Sequence, residues 1–409
     1  GQQWGAEHAP EIDAFLASNI IVVKDASAIK YGADALGGVV IVNPAELPAE
    51  YGLGGTLFSS FQSNGRGGTL AGMLENASKK ISGLRWRTLG SYKGSGDYHT
   101  PTYTLTNTGF RETNFSAAAR YHYSEASGVE IFFSHFGAET GLLKGSSVSS
   151  ISDLLSAYEA DVPAYTQDFS YGISSPRQQV KHNLLKAIGH IHKGENTFLA
   201  QYALQFNQRK EFQLRRGDLI DVPTLDLELV THTLDAEWEK EKSENQIRCA
   251  GINAMLQQNR NIPGTQTIPF VPNFSNYSFG SYFIQKAKLR QWHIEVGARL
   301  DYRYYTVAGR DYTNAVYQST LNFANMSATV GMMRPLGKQS RFTSGLSSAW
   351  RPPHVAELYS IGTHQSAVAV ESGLLIDDDN SNVLSVKEGD FKNEQALKWV
   401  NTYFLSNAT

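Results

Sequence analysis

The stretch IEVGARLDYRYY, residues 294–305, alternates with a two-residue period. Ile294, Val296, Ala298, Leu300, Tyr302 and Tyr304 fall on one side; Glu295, Gly297, Arg299, Asp301, Arg303 and Tyr305 fall on the other. Successive side chains of a strand point to opposite faces, so this segment is a strand with one apolar and one charged face. FLAQYALQFN, 198–207, repeats the pattern with Phe198, Ala200, Tyr202, Leu204 and Phe206 on one side. In THTLDAEWEKE, 231–241, Leu234, Ala236 and Trp238 oppose Asp235, Glu237 and Glu239.

Outward from these segments, alternation marks about fourteen strands. They lie near residues 55–63, 67–77, 83–93, 113–123, 128–136, 179–190, 196–207, 231–240, 245–255, 277–289, 291–304, 322–334, 338–349 and 396–406. After the first hairpin the connections alternate in length. SEASG, HKGE, KSE and PLGK are short, whereas 137–178, 208–230, 256–276 and 350–395 are long. Outer-membrane barrels have short periplasmic turns and long external loops, while a soluble sandwich has no reason to put every long loop at one end. The expected fold is therefore dominated by β structure, as a transmembrane antiparallel β-barrel.

Composition narrows the function. The 409 residues carry 36 Lys and Arg against 39 Asp and Glu, without the basic excess of a nucleic-acid binder. Tyr (20), Phe (20) and Gly (36) are abundant, as suits a β-rich chain with one apolar face. No run of 18 apolar residues supplies a transmembrane helix, but a spanning strand needs only about ten alternating residues. Cys249 is the one cysteine, so neither an internal disulfide nor a cysteine zinc site forms within this sequence. No G-x-S-x-G, H-E-x-x-H, Walker A or G-x-G-x-x-G signature occurs, and no enzyme is expected. Gly1 is not an initiator and SNAT is a polar tail, so both ends read as cut inside a longer protein.

The first 43 residues differ in style. Ile20 to Val23 and Val39 to Val42 are apolar runs around DASAIKYGADALGG, helix-prone and then rich in Gly. This predicts a small α/β unit with strands buried on both faces. PAELPAEYGLG, 44–54, reads as a linker.

NIIVVKDASAIKYGADALGGVVIVNP, 19–44, resembles the end of the plug domain in TonB-dependent outer-membrane receptors. Lys24, Tyr31, Gly32, Gly37 and Gly38 fall on that motif; Asp25 departs from it, standing where the family usually has Gly. Tyr-Gly ends the helix because Gly tolerates the left-handed conformation, and Gly37-Gly38 lets the next strand pack closely. GQQWGAEHAPEID, 1–13, resembles the segment that runs near the plug apex. WRPPHVAELYS, 350–360, resembles the family's Phe-Arg-Ala-Pro-type box with its Glu-Leu-Tyr, and EGDFKNEQALKW, 388–399, stands in place of the Asn-Pro-Asp-Leu-Lys-Pro-Glu stretch in degenerate form.

The resemblance implies that 1–43 are the C-terminal part of a plug, 44–54 a linker and 55–409 an incomplete barrel. Such barrels have about 22 strands, so the first and last strands here become open edges. It further implies a receptor in the outer membrane of a Gram-negative bacterium, with lipid around its wall. A TonB–ExbB–ExbD complex would drive uptake of a ferric siderophore or related iron complex. Haem, cobalamin and oligosaccharide are alternatives inside the family. Outside it stand a passive porin and a secreted glycan-binding protein or hydrolase.

Candidate ligand-binding residues are Gln3, Trp4 and His8 in the apex segment and Arg351, His354 and His364 in or after the WRPP box. A haem receptor would use an axial His in such a loop; the plainer alternative is solvated histidines. Arg351, Glu357 and Tyr359 also fit an architectural role, with Pro352 and Pro353 fixing the backbone where a strand leaves the wall. Asp377, Asp379, Ser381 and Glu388 occupy positions 1, 3, 5 and 12 of a calcium-loop pattern, with Asn382 at the turn glycine. The plainer alternative there is a solvated acidic loop.

Overall fold

The structure, a computed structural model, describes residues 11–406 apart from 24–25, 33–37, 125, 147–149, 244, 312, 338, 365–368, 378–381 and 385–392. Fourteen strands form one antiparallel sheet in which each lies beside its neighbours along the chain, from Gly52–Gln62 at one edge to Glu394–Leu405 at the other. Among the described residues the two edge strands do not pair with each other.

Every strand expected from alternation is present, but many run further than alternation does. The expected 231–240 is Leu225–Ser243, 291–304 is Trp292–Arg310 and 322–334 is Val316–Pro335. The added residues lie mostly on the long-loop side. In these extensions Leu227, Leu229, Tyr305, Val307 and Leu321 are buried on the inner face, so the pattern of apolar side out and charged side in breaks off while backbone pairing continues. The gap that alternation leaves between 304 and 322 closes to residues 311–315. There Asp311 accepts hydrogen bonds from the backbone N–H groups of Thr313 and Ala315, both at 2.9 Å, and builds the turn from its own side chain.

The two faces separate as expected. Leu300 is 58% exposed and shares its face with exposed Phe279, Phe283, Met326 and Val330. Arg299 is 4% exposed, and Asp301 beside it is half-buried. A face of exposed aliphatic and aromatic side chains opposite buried charges is the reverse of a soluble sheet and fits a lipid-facing wall.

Ala17–Val23 and Val39–Pro44 pair antiparallel as a separate two-stranded ribbon. The expectation that these strands are buried on both faces is not met. Ile20, Ile21, Val22 and Val40 are exposed, Val40 at 65%. Among the described residues this two-strand ribbon has neither a third strand nor a second layer to cover it, and apolar sequence alone does not supply one. Between the strands, Ala26–Tyr31 is a 3-10 helix followed by Gly32 at φ +109°, the left-handed turn expected after Tyr-Gly. Residues 45–51 connect the ribbon to the sheet. Arg87 holds them by donating to the carbonyls of Ala45 (2.7 Å) and Glu46 (2.5 Å).

Candidate functional site

Two segments reach the charged, inner face of the sheet. The first is N-terminal. Glu11 is buried against the wall, accepting from Asn207 and from Arg209 at 3.4 Å, with His182 Nδ1 at 3.7 Å. Asp13 accepts from Ser91 Oγ at 2.8 Å, and Phe15 packs on Phe58 with ring centroids 5.1 Å apart. Further along, the helix 26–31 docks on the wall through Ile29, which is buried with Cys249, Tyr282 and Ile284. Lys30 Nζ lies 3.1 Å from Glu237, whose carboxylate also accepts from the Tyr282 hydroxyl. Burial works against the Lys30 charge, but Glu237 outweighs it and raises the Lys30 pKa.

A second clamp holds the backbone. Arg299 donates to the carbonyl of Lys30 at 3.3 Å and to Asn253 at 2.7 Å, while pairing with Asp301 at 2.8 Å. Asn253 in turn donates to Asp235 at 2.5 Å. The Tyr282 ring reaches Glu237 by lying across Gly251, where a Cβ would stand 2.4 Å from the ring. Glycine is needed there for the close approach rather than for a turn. Ligating atoms of Glu237, Glu239 and Cys249 lie within 4.8 Å of one another. Lys30 and Tyr282 already compensate Glu237, so this cluster serves the docking of the helix.

The second segment follows the WRPP box and folds inward from the long-loop end. Arg351 forks onto both oxygens of Glu357 at 2.9 Å and reaches Glu394 at 2.8 Å. The His354 backbone N–H donates to Glu357 at 2.7 Å, closing a cap on the helix Val355–Tyr359. Burial disfavours the Glu357 carboxylate, but Arg351 and the His354 N–H more than offset this and lower its pKa. Val355, Leu358 and Tyr359 are fully buried against Leu229, Phe274, Tyr305 and Leu321 of the inner wall. The Tyr359 hydroxyl donates to Ser319 at 2.8 Å. These contacts hold Arg351, Glu357 and Tyr359 within the packing of this segment.

Of the expected ligand-binding residues, Arg351 and His354 meet around Glu357. Gln3, Trp4 and His8 lie outside the described residues, as do Lys24, Gly37, Asp379, Ser381 and Glu388. Tyr31 ends the docked helix, and Gly38 precedes the second ribbon strand with φ +123°. His354 caps the helix, and the backbone of His364 pairs with Ala369 in a short hairpin. Asp377 pairs with Asn382 across another short hairpin, and among the described residues no helix flanks it. Phe169 packs under Arg66 (4.2 Å) and against Tyr171 (4.9 Å). Sequence reasoning missed the partners of the docked helix. Alternation does mark Glu237, Arg299 and Asp301 as inward charges, but it does not say what meets them.

No protein-family profile matches the chain, and no curated protein sequence does. Solved structures do. The ferric-catecholate import receptor Fiu of E. coli K12 superposes with a TM-score of 0.69 at 12% identity, over 95% of this chain and 60% of that one. The FrpB iron transporter of Neisseria meningitidis (F3-3 variant) gives 0.68 at 12% identity, over 96% and 58%. The Serratia marcescens hemophore receptor HasR, a double mutant with its hemophore HasA and heme, gives 0.65 at 14%, over 96% and 57%. At these identities the likeness is one of fold. The wall shares the fold of these transporters and receptors over most of its length. The chain spans 57 to 60% of the length of these three proteins.

Proposed function

We propose that this chain is part of a TonB-dependent outer-membrane receptor that takes up a ferric siderophore or a related iron complex. The observation that carries the proposal is the 26–31 helix clamped on the inner face of a barrel-type wall by Lys30–Glu237 and Arg299. A passive porin works through an open lumen, and a segment fastened inside it opposes that function. On this proposal residues 1–43 belong to a plug, 44–54 are its linker and 55–409 are barrel. A TonB–ExbB–ExbD complex supplies the energy.

Iron is favoured because Fiu and FrpB are named for ferric-catecholate import and iron transport. Haem, cobalamin and oligosaccharide are the other cargoes the same architecture would serve. The ligand chamber would lie between the apex segment with Gln3, Trp4 and His8 and the loop with His354 and His364. Arg351 contributes there by holding the base of that loop. A calcium ion on Asp377, Asp379, Ser381 and Glu388 is a further part of the proposal. Added calcium should protect residues 372–393 from protease, and Glu388→Gln should abolish that protection. The function itself is tested by uptake of defined iron chelates into cells with and without the energy-coupling protein. Uptake that persists without that protein leaves the porin.

A further inference from the structure

Three neighbouring strands bring two imidazoles together over a glycine. His122 of strand Phe110–Ser124 pairs with Gly128 of strand Ser127–Gly141, and Gly128 pairs in turn with His190 of strand Arg177–Lys193. Ser124 pairs with Ser127 and Lys193 with Asn196, so the site lies at the short-turn end of the wall. His122 shares its face with Arg120, and Gly128 shares its face with Glu130, so both rings stand on the inner side. A Cβ added at Gly128 would lie 3.2 Å from His122 Nδ1 and 3.2 Å from His190 Cε1. Both rings therefore lean over the glycine, which supplies the space between them.

The ring centroids are 5.6 Å apart and the planes are inclined by 71°. An edge-to-face contact fits that inclination. It does not account for His122 Nδ1, which is buried and, among the described residues, has no hydrogen-bond partner. A water molecule would match that nitrogen but would give no reason for the second imidazole. A tetrahedral metal ion bonded to one nitrogen of each ring sets the centroids about 5 Å apart, a small rotation away from the arrangement present. His192, on the same face as His190, is already engaged, its Nδ1 lying 2.9 Å from Thr197 Oγ1.

The donor set selects the ion. Neutral imidazoles suit zinc, copper and nickel, whereas calcium and magnesium take oxygen ligands. The surrounding charge agrees. Arg120 is paired with Glu130 at 2.7 Å, and Arg85, opposite Arg120 on the next strand, adds a positive charge. That charge disfavours a cation held by electrostatics alone and leaves one held by bonds to nitrogen. We propose that His122 and His190 bind one divalent transition-metal ion on the inner wall, bridging their two strands across Gly128, with water in its remaining positions. The proposal does not depend on which cargo the receptor carries.

On the function proposed above, the remainder of the longer protein shares this lumen, so the test uses the full-length receptor. Untagged and stripped of metal, it is titrated in detergent with copper(II) and with zinc. The expected result is a tightest-bound ion, one per chain, that magnesium and calcium do not displace. Pulsed electron paramagnetic resonance of the bound copper should show two imidazole ligands, and His122→Asn and His190→Asn should each remove one. Loss of an imidazole's supporting hydrogen bond costs about tenfold in affinity, so loss of the ligand itself should cost about tenfold or more. The double variant should bind little more weakly than either single one. His232→Asn, at a ring bonded to Tyr202 on the apolar face, should change neither readout. Heat-modifiable gel migration verifies that each variant barrel is assembled, and chelate uptake in cells reports on the transport function separately. The absence of a bound ion, as when another segment of the chain covers the pair, overturns the proposal. So does copper whose affinity and imidazole signals survive both substitutions, which assigns the metal to histidines elsewhere.

Discussion

The inner wall holds two attachments of opposite chemistry. The helix 26–31 is held by one apolar peg, Ile29, inside a ring of charges and hydrogen bonds from Glu237, Tyr282 and Arg299. The segment 355–376 is held by a dry core in which Val355, Leu358 and Leu375 are fully buried. Each buried aliphatic side chain there contributes about 1.5–3 kcal/mol. A partly exposed ion pair contributes about 1 kcal/mol or less, because water competes for both partners. The loop is thus built to stay, while the helix is held by contacts that water replaces at low cost.

The largest expected effect is in the dry core. Leu358→Ala should cost about 2–5 kcal/mol of local stability and expose 352–377 to protease. It should leave the thiol of Cys249, buried beneath Ile29, as protected as before. Labelling of Cys249 in that variant would mean that the two attachments unfold as one unit and would break the contrast.

Next comes the assignment of the faces on which the contrast depends. Leu300→Arg should cost about 2–4 kcal/mol in folding titrations of the full-length protein in lipid, if Leu300 lies near the midplane. Arg299→Leu should instead release the helix 26–31 while leaving membrane folding intact. Equal tolerance of the two substitutions would reverse the faces.

A smaller effect is expected at the polar clamp. Glu237→Gln keeps the shape but removes the charge that Lys30 requires. A loss of about 1 kcal/mol should raise Cys249 labelling roughly fivefold. Unchanged labelling would assign the docking to Ile29 and the Arg299 clamp without the ion pair.

The smallest effect is a pH dependence of the outer segment. The folded pKa of Glu357 lies below its unfolded value, so its contribution is complete above the ordinary carboxyl range, about 4.3, and fades as pH falls through the folded value. Hydrogen exchange in 355–359 should therefore quicken, after correction for intrinsic rates, only below that range. Glu357→Gln should remove the dependence.

Much of this architecture is legible in the chain. The strand 294–305 declares both of its faces, and the same period recovers every strand of the sheet. The Tyr31-Gly32 turn is legible because only a backbone without Cβ adopts φ +109° easily. Strand length was not legible: residues 305–310 and 316–321 pair fully, but there apolar Tyr305, Val307 and Leu321 are buried on the inner face, against the charged-inward pattern of 294–304. Nor was the exposure of Ile20, Val22 and Val40, since an apolar run states a preference for burial without supplying the cover.

By itself the sequence determined where the strands lie and the side each residue takes, because an apolar face and a charged face impose a two-residue period on each of them. Only the tertiary structure decided which inward residues meet. Lys30 finds Glu237 across 207 positions, and Leu358 finds the wall at Leu229 and Leu321. Alternation sets the direction in which a side chain points. What approaches from that direction depends on where distant segments of the chain come to rest, and no local pattern encodes that.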